Sequence, residues 1–197
     1  MTVRLAVLLS GGGRTLQNLL DRIADGRLDA EVAVVVSSNP TAFGLERARQ
    51  AGVPTAVVRR RDFETAEVFS EAITAVIGRY EVDLVVLAGF TQKYLFPERY
   101  RGRVLNIHPA LLPKYGGQGM YGHYVHEAVL AAGDSESGCT VHLADHEYDN
   151  GPILVQKRVP VLPGDTPETL AGRVFEAECE AYPEAIRMMA ERLGVRA

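Results

Sequence analysis

Short apolar runs alternate with amphipathic segments through the first half of this 197-residue chain. A near-continuous apolar run, such as Val3 to Leu9, is typical of a strand that is covered on both faces. Leu16, Leu19, Leu20 and Ile23 follow it with helical spacing. Strands that alternate with helices and are joined by short turns predict an α/β fold, with a doubly wound, mostly parallel twisted sheet and flanking helices.

The same pattern gives approximate bounds for each element. We predict strands over 3–9, 31–38, 54–58, 83–89 and 103–108, and helices over 16–23, 43–51 and 66–80. After the central segment we predict a helix over 124–132, strands over 139–144 and 152–161, and a long helix over 165–193. Asp165 or Thr166 would cap that helix, and Pro183 predicts a kink or break in it. With no repeat or linker, we expect a single domain over 1–197.

Composition excludes several classes of function. The net charge is -4, and the only basic run is Arg59–Arg61, so we expect no nucleic-acid partner and no anionic membrane surface. Cys139 and Cys179 lack CxxC spacing and are typical of small apolar residues in a reducing compartment. The first apolar run is too short to span a bilayer and lacks a cleavage pattern. We therefore expect a cytoplasmic protein.

The stretch Val104 to Tyr115 carries the first chemical signal. If Val104 to His108 is a strand, its side chains alternate, so Asn106 and His108 point to the same face. Pro109 lacks an N–H group and would end the ladder there. An amide and an imidazole then lie together at the carboxyl end of a strand, where ligands bind in open α/β sheets.

A glycine-rich turn between the first strand and first helix is the second signal. It is consistent either with a tight turn that needs positive φ or with a backbone that approaches an anion at a helix N-terminus. The turn lacks the lysine of the GxxxxGK[ST] motif that binds nucleoside triphosphates. It also lacks the GxGxxG motif that binds dinucleotides, because Leu16 stands where the last glycine would be. The binding alternative is therefore a site for one compact phosphate, formed by Ser10, Gly11, Gly12, Gly13, Arg14 and Thr15.

The turn before the last strand carries the third signal. Asp149 is either an ordinary turn residue or a carboxylate that reaches the Asn106/His108 pair and favours the charged imidazole. The histidine pairs 123/126 and 142/146 resemble ligand pairs in spacing, but no HExxH is present, so we expect no metal. No serine or cysteine lies in a nucleophile elbow, which argues against an acyl-enzyme.

Taken together, the motifs resemble one family along nearly the whole chain. They are SGGGRTLQNLL, AFGLERARQAGVP, VLAGF, LNIHPALLPKY, ESGCTVH, DNGPILVQ and RVFEAECEAYP, in that order. In combination they are similar to the phosphoribosylglycinamide formyltransferases, the folate-dependent transformylases of purine synthesis. The resemblance implies the formyltransferase fold, with a Rossmann-like nucleotide- and phosphate-binding half over 1–105 and a folate-binding, catalytic half over 106–197.

The resemblance also implies a reaction. The amine of glycinamide ribonucleotide (GAR) would attack the formyl group of 10-formyltetrahydrofolate, the co-substrate, and give N-formyl-GAR through a tetrahedral intermediate. Asn106 would donate to the formyl oxygen, and His108 would stabilise the developing oxyanion and take part in proton transfer. Asp149 would hold His108 charged and help to move a proton from the amine to the folate nitrogen.

Binding residues follow by position in the same way. GAR would be bound by the Ser10–Thr15 loop, with its phosphate at Gly13, Arg14 and Thr15, and by Glu178. The resemblance assigns the reduced folate to Phe90, Thr91, Gln92, Lys93, Tyr94, Asn106 and Asp145. It also implies a cis peptide bond before Pro113. A homodimer is one alternative for the oligomeric state, which the sequence leaves open.

Three departures and three rival functions remain. TQKYLF replaces the usual residues after VLAGF, Ala66 replaces a folate-tail arginine whose role Arg59–Arg61 would take over, and the loop 116–126 is longer than usual.

A formyltetrahydrofolate deformylase would use the same polar set, but we expect no room for its additional N-terminal domain. A methionyl-tRNA formyltransferase needs a basic tRNA-binding domain, and a non-catalytic binding module would not need all three polar residues.

Overall fold

The structure, a computed structural model, describes residues 2–195. Within that range the strands are β1 (Val3–Leu9), β2 (Ala30–Ser37), β3 (Thr55–Val57), β4 (Leu84–Leu87), β5 (Val104–His108), β6 (Glu136–Leu143) and β7 (Ile153–Pro160). The helices are α1 (Arg14–Ala24), α2 (Phe43–Gln50), α3 (Ala66–Ile77), α4 (His123–Ala131) and α5 (Pro167–Leu193). Single 3₁₀ turns span Arg60–Asp62 and Glu98–Tyr100.

The strands form one sheet in the order β3-β2-β1-β4-β5-β6-β7. β1 pairs in parallel with β2 and β4, and β2 pairs in parallel with β3. β6 and β7 form an antiparallel pair. The predicted α/β fold with a mostly parallel sheet is therefore confirmed, and the short connections of the first half produce its parallel part.

The chain divides into two compact units. One contains residues 2–105 together with 189–195, and the other contains residues 106–188. In the first unit the apolar strands β1 and β4 are almost completely buried, as their continuous apolar sequences predicted. In the second unit Val141 of β6 and Val174 and Tyr182 of α5 are fully buried. The interpretation as a single domain stays a prediction.

The elements begin and end within three residues of their predicted bounds, and two of the differences from prediction have a clear physical reason. β6 begins at Glu136, three residues before the predicted start at Cys139, because pairing with β7 extends the strand through Ser137 and Gly138. α5 runs through Pro183 without a break. Its first turn is capped by Thr166, whose hydroxyl accepts the N–H of Thr169 at 3.3 Å, as one of the two predicted caps.

Two further observations bear on the sequence-based expectations. The peptide bond between Leu112 and Pro113 is cis, as the resemblance implied. Among residues 2–195, no helix has both the length and the apolar character that a membrane crossing requires.

Candidate active site

The carboxyl end of β5 presents the amide and imidazole that the sequence predicted. Asn106 and His108 lie two residues apart on the same strand, which ends at His108 immediately before Pro109. The Asn106 side chain is half-buried, and His108 is only 4% exposed. The carboxyl end of β5 thus places two polar side chains close together, and one of them is buried.

Asp149 joins this pair, as the functional interpretation of its turn required. Asn106 Nδ2 donates to Asp149 Oδ1 at 3.2 Å, and His108 Nδ1 lies 3.4 Å from Oδ2. The backbone N–H of Gly117 donates to the same Oδ2 at 3.0 Å. Each carboxylate oxygen therefore faces one of the two strand residues, and the three predicted catalytic side chains form one cluster.

The turn that carries Asp149 is fixed by local contacts. Asp145 accepts the N–H of Glu147 at 2.8 Å and the side-chain amide of Asn150 at 3.1 Å. A Cβ on Gly151 would lie 1.8 Å from the carbonyl oxygen of Leu143, so only glycine allows this close approach. Asp145, which the resemblance assigned to folate binding, thus uses its carboxylate to shape the turn.

His142 is a fourth member of the cluster that the sequence analysis treated only as an unpromising metal ligand. Its Nδ1 donates to the carbonyl oxygen of Leu143 at 3.1 Å, so Nε2 is the acceptor for Asn106 Nδ2 at 3.1 Å. Both N–H groups of the Asn106 amide are then engaged, by His142 and by Asp149. The available signal was position, because His142 lies near the end of β6, the neighbour of β5 in the sheet.

Charges in the cluster favour an ionised Asp149. Burial raises the pKa of the Asp149 carboxyl, but the contact with His142, the charge of His108 and the N–H of Gly117 together hold that pKa below its usual value. His142 Nε2 lies 3.6 Å from Asp149 Oδ1. The site therefore keeps a buried carboxylate charged.

His108 experiences opposing influences. Burial lowers the pKa of the imidazole, while the carboxylate of Asp149 and the hydrogen bond that the ring donates to the Tyr115 carbonyl raise it, and His142 lowers it. Burial is the largest of these, so the pKa of His108 is below its usual value. The neutral form of the ring is therefore favoured relative to that of an exposed histidine.

The glycine-rich turn has a left-handed backbone at one of its three glycines. Gly13 has φ of 69° and precedes α1 as its N-cap without any side-chain cap. A Cβ on Gly13 would lie 2.5 Å from the Cα of Gly44, so glycine is required there. Gly11 and Gly12 have no positive φ, and a Cβ on either would meet no described atom within 4 Å. Gly13, as the N-cap of α1, supplies no side-chain cap to the first turn of the helix.

The remaining residues of this loop have different environments. The Ser10 hydroxyl lies 2.6 Å from that of Ser38 and accepts the N–H of Thr91 at 3.0 Å, so it braces the strand ends. Arg14 is exposed, and Thr15 is half-buried. Ser10 therefore has a structural task that the sequence did not predict.

The segment after β4 combines packing with exposure. The Phe90 ring stacks on Phe69 with centroids 6.3 Å apart. Tyr94 is 5% exposed, its hydroxyl lies 2.9 Å from that of Thr74, and burial raises its pKa to about 12. Its side chain therefore packs in the interior, whereas Thr91 is exposed and Gln92 and Lys93 are half-buried.

Gln92 also lines a cavity of about 420 Å³. The other lining residues are Ser38, Asn39, Pro40, Thr41, Arg59, Arg60 and Arg61. Arg59 pairs with Asp62 at 2.6 Å. Arg59–Arg61 therefore line the same cavity as Gln92, which the resemblance assigned to folate binding. The positive charge of these arginines would attract a carboxylate to this cavity.

Glu178 lies half-buried on α5. Burial, with the charge of Glu178 as a smaller contribution, raises the pKa of the Cys139 thiol to about 12. Within residues 2–195, neither Cys139 nor Cys179 is part of a disulfide. No group of three or more acidic, histidine or cysteine side chains within residues 2–195 has the arrangement of a metal site.

Comparison with known protein families gives a match over most of the chain. The family model described as formyl transferase matches residues 3–186. The phosphoribosylglycinamide formyltransferase of Haemophilus influenzae is 40% identical over 191 residues, which cover 95% of this chain and 87% of that protein. The trifunctional purine biosynthetic protein adenosine-3 of Drosophila melanogaster is 43% identical over 190 residues, or 94% of this chain. The chain spans only 14% of that larger protein.

Solved structures agree with these relatives. The glycinamide ribonucleotide transformylase 1 of Symbiobacterium toebii superposes with a TM-score of 0.90 at 41% identity, over 97% of this chain and 89% of that one. The phosphoribosylglycinamide formyltransferase of Coxiella burnetii superposes with a TM-score of 0.86 at 38% identity, over 98% and 89%. Sequence and fold therefore point to the same relatives.

Proposed function

Because the chain belongs to the formyl transferase family, we propose that it transfers the formyl group of 10-formyltetrahydrofolate to the amine of GAR in purine synthesis. The observation that carries this proposal is the meeting of Asn106, His108 and Asp149 in one buried cluster. Those residues come from two separate stretches of the chain. An amide donor, an imidazole and a charged carboxylate are the groups that direct formyl transfer to an amine requires.

The proposed reaction forms one bond and breaks another at the formyl carbon. The GAR nitrogen attacks that carbon, the formyl oxygen gains negative charge, and the bond from carbon to the folate nitrogen then breaks. The amine loses a proton, and the departing folate nitrogen gains one. Asp149, held ionised by its neighbours, suits the first transfer as a proton acceptor.

Asn106 and His108 suit the stabilisation of the oxygen. Both side chains direct a nitrogen toward Asp149, so they flank the same point from two positions on β5. On substrate binding, the formyl oxygen would replace Asp149 as the acceptor of one Asn106 N–H, and His108 would donate from Nδ1 when its ring is protonated, as the charge on that oxygen grows. Loss of one such donor typically lowers kcat by about 10²–10³-fold. The donor set therefore fits a formyl carbonyl, which is the part of the folate that reacts.

Substrate recognition is proposed from the same assignments. The GAR phosphate would bind at Gly13, Arg14 and Thr15, where α1 begins without a capping side chain. Glu178 would contact the ribose and glycinamide portion. The pteridine would lie along the segment after Phe90, with the carboxylates of the folate tail at Arg59–Arg61 beside Gln92.

The test of the activity is release of tetrahydrofolate from 10-formyltetrahydrofolate, measured with and without GAR. We expect release only when GAR is present, with N-formyl-GAR formed in equal amount. Release without GAR would favour a hydrolase, and no release in either mixture would favour a binding module.

Variants connect that activity to the cluster. We expect His108→Ala to abolish turnover without unfolding the chain. Glu184→Gln is the control, because Glu184 is a half-exposed acid that pairs with Lys157 at 2.8 Å on another part of the second unit. Equal activity of His108→Ala and wild type would refute the assignment.

A further inference from the structure

The imidazole of His108 is held on both of its edges. Nδ1 faces Asp149, while Nε2 lies 2.7 Å from the backbone carbonyl oxygen of Tyr115. Tyr115 has φ of 58°, and Asp149 has φ of 53°. Among residues 2–195 these are the two non-glycine residues in the left-handed region. The backbone is thus strained at the two residues that orient this ring.

The side chain of Tyr115 is anchored away from the cluster. Its hydroxyl donates to Asp134 Oδ2 at 2.8 Å. Lys114 Nζ donates to both oxygens of Asp134, at 2.7 and 2.6 Å, and lies 5.0 Å from the Tyr115 ring centroid. Asp134 therefore binds two consecutive residues of the segment whose carbonyl group reaches His108.

The next residue in the chain restricts that segment further. A Cβ on Gly116 would lie 2.6 Å from the side chain of Leu112 and 3.3 Å from the Cβ of Asp149. The backbone after Tyr115 thus passes directly over the Asp149 carboxylate, to which Gly117 donates its N–H. A shift of Tyr115 would change the contacts of both catalytic partners.

We propose that the hydroxyl of Tyr115 and the carboxylate of Asp134 are positioning groups that aim His108 by holding the Tyr115 carbonyl against Nε2. This role rests on the proposed function of His108. A left-handed tyrosine costs about 1–3 kcal/mol and persists only where its surroundings hold it. When the anchor is removed the backbone relaxes, and the carbonyl oxygen leaves the ring.

Loss of the hydrogen bond to the Tyr115 carbonyl changes the pKa of His108 in a definite direction. The ionisable groups that act on His108 are Asp149, His142 and His126. The Tyr115 carbonyl adds a hydrogen bond that favours the charged ring. Without that acceptor, the pKa of His108 falls further below its usual value, and less imidazolium is present at a given pH. Asp149, His142 and His126 need not move for this to occur.

The deciding variant is Tyr115→Phe, because it removes the hydroxyl and leaves every charge in place. Asp134→Ala tests the other partner, and Glu184→Gln is the control for loss of a paired, partly exposed carboxylate. We expect kcat to fall about 5–30-fold in the first two variants, with KM for GAR and folate unchanged, because one or two kcal/mol of positioning is lost. The control should match wild type.

NMR titration of the His108 ring provides a readout that does not depend on activity. The signal is identified by its loss in His108→Gln. We expect its midpoint to move to lower pH in Tyr115→Phe and Asp134→Ala, and to stay constant in Glu184→Gln. An unchanged midpoint in Tyr115→Phe would overturn the positioning role. An inactive wild type would instead overturn the proposed function, since the titration is measured without substrates.

Discussion

Replacing Asp149 with asparagine removes one charge and almost no volume. The carboxylate accepts an N–H at each oxygen, from Asn106 at 3.2 Å and from Gly117 at 3.0 Å. An amide has only one acceptor oxygen, so one of these donors must face an NH₂ group. The charge that favours the imidazolium form of His108 is also lost.

The two consequences differ in size. Losing one hydrogen bond to a charged group costs about 1.5–3 kcal/mol, partly offset because a buried amide is cheaper to desolvate than a carboxylate. The chain should therefore stay folded, given a typical stability of about 5–15 kcal/mol. Removing the proton acceptor should lower kcat by about 10²–10⁴-fold, or about 3–5 kcal/mol of barrier.

The assay measures kcat by tetrahydrofolate release at saturating GAR and folate, alongside denaturant unfolding of the same preparation. We expect a folded Asp149→Asn variant with a large loss of kcat, and a His108 ring that titrates at lower pH than in wild type. A variant that kept near-full activity would show that Asp149 does not carry the proton. Loss of folding together with activity would show that the carboxylate is mainly structural.

Three further predictions concern stability and substrate binding. Gly13→Ala should destabilise the chain by about 1–3 kcal/mol and raise KM for GAR, because its Cβ would contact Gly44 and its φ is positive, whereas Gly12→Ala should fold normally in a denaturant titration. The lowered pKa of His108 means that the unfolded chain binds more protons, so stability should fall as pH drops through the unfolded histidine pKa of about 6.5, and less so in His108→Gln. Thr166→Ala should cost about 1 kcal/mol by the same denaturant assay, since it removes the cap of α5.

Periodicity was sufficient to predict the elements of the sheet and the pairing of Asn106 with His108. Both depend on local rules, namely continuous apolar runs and alternation of side chains along a strand. The start of β6 was wrong by three residues, because Glu136, Ser137 and Gly138 have low strand propensity and are held by their pairing with β7.

The predicted disruption at Pro183 also depended on local rules. A proline inside a helix loses one hydrogen bond and costs about 3 kcal/mol. Pro183 is buried next to Tyr182, whose side chain is fully buried. Burial of an aromatic side chain contributes a similar free energy, so packing keeps α5 continuous.

Contacts between distant residues could not be predicted from spacing. His142 contacts Asn106, which lies 36 positions earlier in the chain. The Tyr115 carbonyl contacts His108 because Tyr115 has a left-handed backbone, and the sequence LLPKY does not predict that conformation. Asp149 was one of two alternatives until its turn was seen to place it between Asn106 and His108. The sequence was sufficient to predict which chemical groups the site contains, but not which of them contact one another, because those contacts depend on the fold.

The central claim is that Asn106, His108 and Asp149 surround one reacting carbon. Its most direct test is a crystal structure of the chain with GAR and a non-reactive analogue of 10-formyltetrahydrofolate, in which the distances from these side chains to the formyl group are measured. We predict that the formyl oxygen lies within hydrogen-bond distance of Asn106 and His108, with the GAR amine beside Asp149. A formyl group that lies too far from Asn106, His108 and Asp149 for any of these side chains to contact it would contradict this claim.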